Sequence, residues 1–144
     1  MQPLRIAIPA MLLFFAASAA LADPSDYCTS EQTADQVVYT IGSWDSLRQF
    51  WEKYGGCDDG DVSLELSDRV SDLLANHWDT LAALQNQVND SGRFEKFVLF
   101  HIDPSVMPDR YPKILDNAKN HCPADNAALC QKIAAAASSQ TPVQ

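Results

Sequence analysis

Basic charge is scarce in this chain of 144 residues, where ten lysines and arginines stand against nineteen aspartates and glutamates. A protein that grips a phosphate backbone needs lysine and arginine to displace counterions, so nucleic-acid binding is set aside. Glycine is rare as well, at five residues that stand singly or in one pair at turns, and no nucleotide-cradling glycine loop can be built from them. There is no C-x-x-C pair for thioredoxin-type chemistry, no G-x-S-x-G elbow for a serine hydrolase and no H-E-x-x-H zinc spacing. No period of 20–50 residues recurs, which excludes a solenoid.

What is present begins with an export signal. Arg5 precedes the apolar run from Ile6 to Ala17, and small residues follow up to Ala22, with Ala20 and Ala22 at the positions that signal peptidase reads. The run is shorter than the roughly 20 apolar residues a membrane-spanning helix needs. Residues 1–22 therefore read as a cleaved signal peptide. Asp23, not cysteine, would be the first mature residue, which excludes a lipoprotein anchor. The expected location is the periplasm or the medium, with no membrane span after processing. Arg5 is the one charged residue lost, so the mature part is more acidic still.

Four cysteines, Cys28, Cys57, Cys122 and Cys130, all lie beyond the signal. An even count in an oxidising compartment reads as two structural disulfides, and the spacings fit no ordinary zinc pattern. Pairing is open at this point. A Cys57–Cys122 bridge would close a long loop worth roughly 4 kcal/mol in the loop-entropy model, and would leave Cys28 for Cys130. The alternative, Cys28–Cys57 with a local Cys122–Cys130 clip, is nearly as good.

Along the rest of the chain, residues 23–42 read as a polar N-terminal arm without a clear period. Val37 to Ile41 is β-prone but has no partner strand, so it is either extended against the core or the start of helical structure. Residues 43–137 read as one helical domain. Ser43 caps a helix with Trp44, Leu47, Phe50, Trp51 and Tyr54 at helical spacing, ended by Gly55 and Gly56. Val62, Leu66, Val70, Leu73, Leu74 and His77-Trp78 mark one face of a second helix, and Asp79 begins a third with Leu81, Leu84 and Val88 inward. The segments Arg93–Ile102, Arg110–His121 and Ala127–Ala137 complete the set, and residues 138–144 form a flexible tail. The expected fold is all-α, an irregular bundle of five or six helices stapled by two disulfides.

Candidate chemistry is thin. The densest polar feature is Asp58, Asp59 and Asp61, with Glu65 beyond. An EF-hand loop beginning at Asp59 would need glycine and glutamate where Leu64 and Val70 stand, so calcium is not expected. These acids either cap the next helix or meet a basic partner. His77, His101 and His121 each lie near a helix end, where the dipole favours them. His101 with Asp103 is conceivable as a base and its orienter, but no catalytic residue, metal or cofactor is assigned. Trp44, Phe50, Trp51, Tyr54 and Trp78 are expected in the core.

The stretches Ser43–Leu47, Tyr54–Gly60, Ala75–Leu81, Phe97–Asp103 and Asp116–Pro123 resemble a family of small exported proteobacterial proteins of uncharacterised function. Its marks are a Cys-Asp-Asp-Gly loop and an Asn-His-Cys-Pro element. The resemblance implies Cys57–Cys122, and so Cys28–Cys130, as the pairing, and it supplies no catalytic residues. Together these readings imply a periplasmic protein-binding module that meets a basic secreted protein, with an oligomeric state the sequence leaves open. Its concrete form is an immunity or inhibitor protein against a cell-wall-degrading toxin or lysozyme. The alternatives are a small glycan-acting enzyme, and a structural or stress-related envelope protein without a specific ligand.

Overall fold

A computed structural model describes residues 27–139. The expected signal peptide and most of the flexible tail lie outside them. Among the described residues seven α-helices follow one another, α1 (Glu31–Val37), α2 (Trp44–Tyr54), α3 (Gly60–Asn76), α4 (Leu81–Asp90), α5 (Gly92–Phe100), α6 (Tyr111–Asn120) and α7 (Ala127–Ser138). Short 3-10 turns join most of them, and the described residues contain no strand. None of these helices is long and apolar enough to cross a membrane. The all-α class and the two disulfides are as the sequence implies.

Local chemistry explains most helix starts. Ser43 opens α2 with a reciprocal capping box, its hydroxyl accepting from the Ser46 amide while Ser46 Oγ accepts from the Ser43 amide. Asp59 caps α3 by accepting from the Gly60 amide at 2.8 Å, and Ser91 caps α5 through the Phe94 amide. Pro112 is tolerated because it lies in the first turn of α6. The apolar residues of each helix then face inward. Leu47, Phe50, Leu66, Val70, Leu74, Leu84, Phe94, Ile114 and Ile133 are buried in one continuous core.

α3 is the spine of this core. Arg110 ties the start of α6 to it, donating to the Asp68 carboxylate at 2.6 Å and to Ser71 Oγ at 3.0 Å. Asn117 donates to the carbonyls of Leu74 and Ala75, satisfying acceptors that the end of α3 leaves free. Trp78, half-buried, donates its indole N–H to the His121 carbonyl, and Trp44 donates to Thr80. Of the five aromatics expected in the core, Trp44, Phe50, Trp51 and Tyr54 are buried.

The arm and the cysteine pairing depart from expectation. Residues 31–37 of the arm, which show no clear period, are helical, capped by Ser30, with Ala34 buried; of the two readings of residues 37–41 the helical one holds, Val38–Thr40 continuing as a 3-10 turn. The disulfides are Cys28–Cys57 and Cys122–Cys130, the local alternative and not Cys57–Cys122 with Cys28–Cys130. The reason is spatial: α1 packs on α2 and α3, which brings Cys28 to the end of α2, while Cys122 and Cys130 flank the tight turn between α6 and α7. In the loop-entropy model the two bonds contribute about 3.5 and about 2.5 kcal/mol for separations of 29 and 8 residues.

Close packing at the first bond makes Gly56 essential. A methyl group there would overlap the Tyr27 backbone and approach the Cys28 amide nitrogen to 2.6 Å. Gly56→Ala is therefore expected to lower stability by about 1–3 kcal/mol through overpacking against main chain that cannot yield. A urea midpoint unchanged from that of the parent would contradict this close approach.

Candidate functional site

The Cys-Asp-Asp-Gly loop is where the chain concentrates its polar chemistry, and its successive residues point in different directions. Asp58 turns inward. Its Oδ2 lies 3.0 Å from Nε2 of His101, a ring with no solvent exposure, while Nδ1 lies 3.1 Å from the Ser67 hydroxyl. That hydroxyl also reaches the Ser63 carbonyl at 3.1 Å, one turn earlier in α3. Phe97 and Phe100 stand edge-on to the imidazole, with ring centroids 4.7 and 5.2 Å away.

Serine, histidine and aspartate in hydrogen-bonded series invite comparison with a hydrolytic triad. The arrangement differs in two ways that matter for chemistry. In a triad the acid holds Nδ1 and the serine meets Nε2, whereas here the two are exchanged. A nucleophile must also reach its substrate, and Ser67 is 5 % exposed beside a ring that is 0 % exposed. The set acts as a polar bolt between the Cys57 loop, α3 and the end of α5. The conceivable partnership of His101 with Asp103 is replaced by this one, because Asp103 accepts instead from the Ser105 amide and hydroxyl within its own turn. Ser67 was not singled out from sequence, since a serine at an inward helical position carries no signal without its partner.

Asp59 and Asp61 turn outward. Together with Glu31 and Asp35 of α1 they rim a concavity of about 570 Å³ floored by Cys28, Gly56, Cys57 and Val62. Among the described residues none of these four carboxylates is in an ion pair, and the lining contains no lysine or arginine. All four are exposed, so none has the apolar surroundings that a general acid of glycoside hydrolysis requires. Glu65 stands apart, paired with Arg69 one turn along α3. Of the expected contact residues, then, Asp59 and Asp61 share the cleft, Asp58 serves the interior and Glu65 is already matched. Glu31 and Asp35 were missed because the helix that carries them has too few apolar positions to be read as one.

Among the described residues no group of three or more histidine, cysteine or acidic side chains converges in a way that could hold a metal ion. No protein-family profile, curated protein or solved structure matches the chain. The site is read on its own geometry.

Two further buried features set measurable expectations. Removing Asp58 would strand His101 in the interior without its carboxylate, so Asp58→Ala should cost about 2–4 kcal/mol, against about 0.5 kcal/mol or less for exposed Asp61→Ala. Equal denaturation midpoints for the two variants would contradict the division between inward and outward acids. Tyr111 is pushed up to about 12, first by burial and then by the Asp103 carboxylate, with the Asp103 backbone and Arg110 pulling the other way. Because the folded value lies above the ordinary tyrosine value of 10.0, its contribution is complete below pH 10 and is lost as pH rises towards 12. Tyr111→Phe should remove this alkaline loss. Among the described residues no hydrogen bond of good geometry holds its buried hydroxyl, the Asp103 backbone standing only close by, so the change at neutral pH should stay within about 1 kcal/mol. Stability curves across alkaline pH for both proteins check the two expectations together.

Proposed function

We propose that this chain is an exported protein-binding module, not an enzyme, whose acidic cleft receives a basic partner in the periplasm. In its most specific form it is an immunity or inhibitor protein directed at a cell-wall-degrading toxin or lysozyme, released after cleavage behind Ala22. One observation carries the reading: Glu31, Asp35, Asp59 and Asp61, drawn from two helices and a loop, rim a single concavity and are balanced by no cation among the described residues of its lining.

Like charges held together in a hollow repel one another, which lowers stability unless something cationic arrives. The same arrangement focuses field lines outward and speeds the encounter with a basic surface. Wall-lytic enzymes that work on anionic polymers are often basic, so the sign is right for such a target. The two disulfides fit life in an oxidising compartment. Inhibition would follow if the acidic rim meets the basic residues by which the hydrolase grips its polymer. The triad-like set does not compete with this reading, because it is closed to substrate.

The test pairs a basic lysozyme and a secreted wall amidase with the processed protein, measuring affinity by calorimetry and inhibition by wall turbidity. Asp35→Lys with Asp61→Lys reverses two rim charges while sparing Asp58 and the Asp59 cap. Binding to at least one of the enzymes is expected, weakened about tenfold or more by the double variant and by raised salt, mainly through slower association. Affinity indifferent to both changes, or no binding to either enzyme, would overturn the proposal.

A further inference from the structure

We infer that the basic partner engages this protein through an amphipathic segment, with apolar side chains seated in a hollow beside the acidic cleft. This rests on the reading that the cleft takes a basic protein, and it adds the chemistry of the contact. Five large apolar side chains are exposed among the described residues, and three of them, Tyr39, Leu64 and Met107, line one concavity of about 490 Å³. Isolated exposed apolar residues are ordinary on a protein surface, but a gathered group marks a contact surface. The hollow is built from three separate elements: the 3-10 turn after α1, the outer face of α3 and the turn that precedes α6.

Helical spacing joins this hollow to the cleft. Asp61, Leu64, Glu65 and Asp68 recur at the period of one helical face, so α3 carries an outward stripe as well as its inward one. Asp61 lies at the head of that stripe and borders both concavities. Glu65 and Asp68 are matched by Arg69 and Arg110, which leaves the middle of the stripe near neutral around Leu64. The unmatched charge is therefore all at the cleft end. Such a surface, apolar at one end and uncompensated acid at the other, fits a segment with leucine- or phenylalanine-like side chains followed by lysine or arginine. A purely cationic segment would leave the hollow wet. An anionic lipid surface would be repelled by the rim.

The probes are two synthetic peptides of equal length and equal positive charge, one of lysine and serine, the other with leucine and phenylalanine replacing serines at one end. Fluorescence anisotropy should show the amphipathic peptide binding about tenfold or more tightly. Leu64→Ser with Met107→Ser should abolish that advantage and leave the lysine–serine peptide unaffected. Asp35→Lys with Asp61→Lys should weaken both peptides. Both apolar side chains are on the surface, and an unchanged melting curve would verify that the core is intact; if the pair perturbs it, Tyr39→Ser replaces them. Equal affinities of the two peptides for the parent, with charge reversal still weakening both, would overturn the inference and leave the acidic-cleft reading standing. Failure of both peptides to bind would remove the two together. Sedimentation as a dimer that Leu64→Ser disperses would assign the hollow to a second copy of the chain and likewise overturn the inference.

Discussion

Everything around the cleft depends on four consecutive residues making four different connections. Cys57 is bonded to Cys28, Asp58 to His101, Asp59 caps α3, and Gly60 takes a left-handed φ of 52° that only glycine adopts without strain. A loop of this length would ordinarily wander over the surface. Here a covalent bond, a buried hydrogen bond, a helix cap and a required backbone turn hold it at successive positions. The first of these matters most, because α1 has only seven residues and is too short to persist in water by itself. The disulfide just before it, the Ser30 cap and the burial of Ala34 and Val38 together keep it helical against α2 and α3.

That dependence explains what could and could not be read from the sequence. α2 was legible in full because its four inward aromatics and one leucine repeat at helical spacing between a serine cap and a glycine pair. α3, α4, α6 and α7 were legible from their inward apolar spacing, with the starts of α4 and α6 displaced by the 3-10 turns that run into them. α1 offered one fully buried alanine and a half-buried Val37 in an otherwise polar run, so its helicity is a consequence of tertiary contact and left no clear periodic trace. Disulfide pairing was illegible on physical grounds. Loop entropy states how much a bond contributes once formed, and the larger figure belongs to a pairing the chain does not use.

The pairing has functional weight. Had Cys57 been bonded to Cys122 and Cys28 to Cys130, the acidic loop would have been drawn to the end of α6 and the arm to α7. The observed pairing instead ties the start of α1 to the loop, so that Glu31 and Asp35 line the same concavity as Asp59 and Asp61. A run of acids that looked like an ordinary helix cap becomes half of a two-sided rim. The contact residues visible in sequence, Asp59 and Asp61, needed that covalent constraint to acquire their partners. Glu65 and Asp58, equally acidic on paper, are occupied elsewhere, Glu65 by Arg69 and Asp58 by its inward hydrogen bond with His101.

Composition is thus a poor guide to chemistry at this site in both directions. Serine, histidine and aspartate converge without a route for substrate, so their hydrogen bonds supply rigidity in place of reactivity. Burying a histidine with a carboxylate is expensive in desolvation, and an apolar core of the same shape would be at least as stable. What the polar set adds is direction. Hydrogen bonds hold Asp58 towards the interior, so the loop presents Asp59 and Asp61 as its exposed acids. The interior bolt and the exterior rim thus share one short segment of backbone, tied down at Cys57 and capped onto α3 at Asp59.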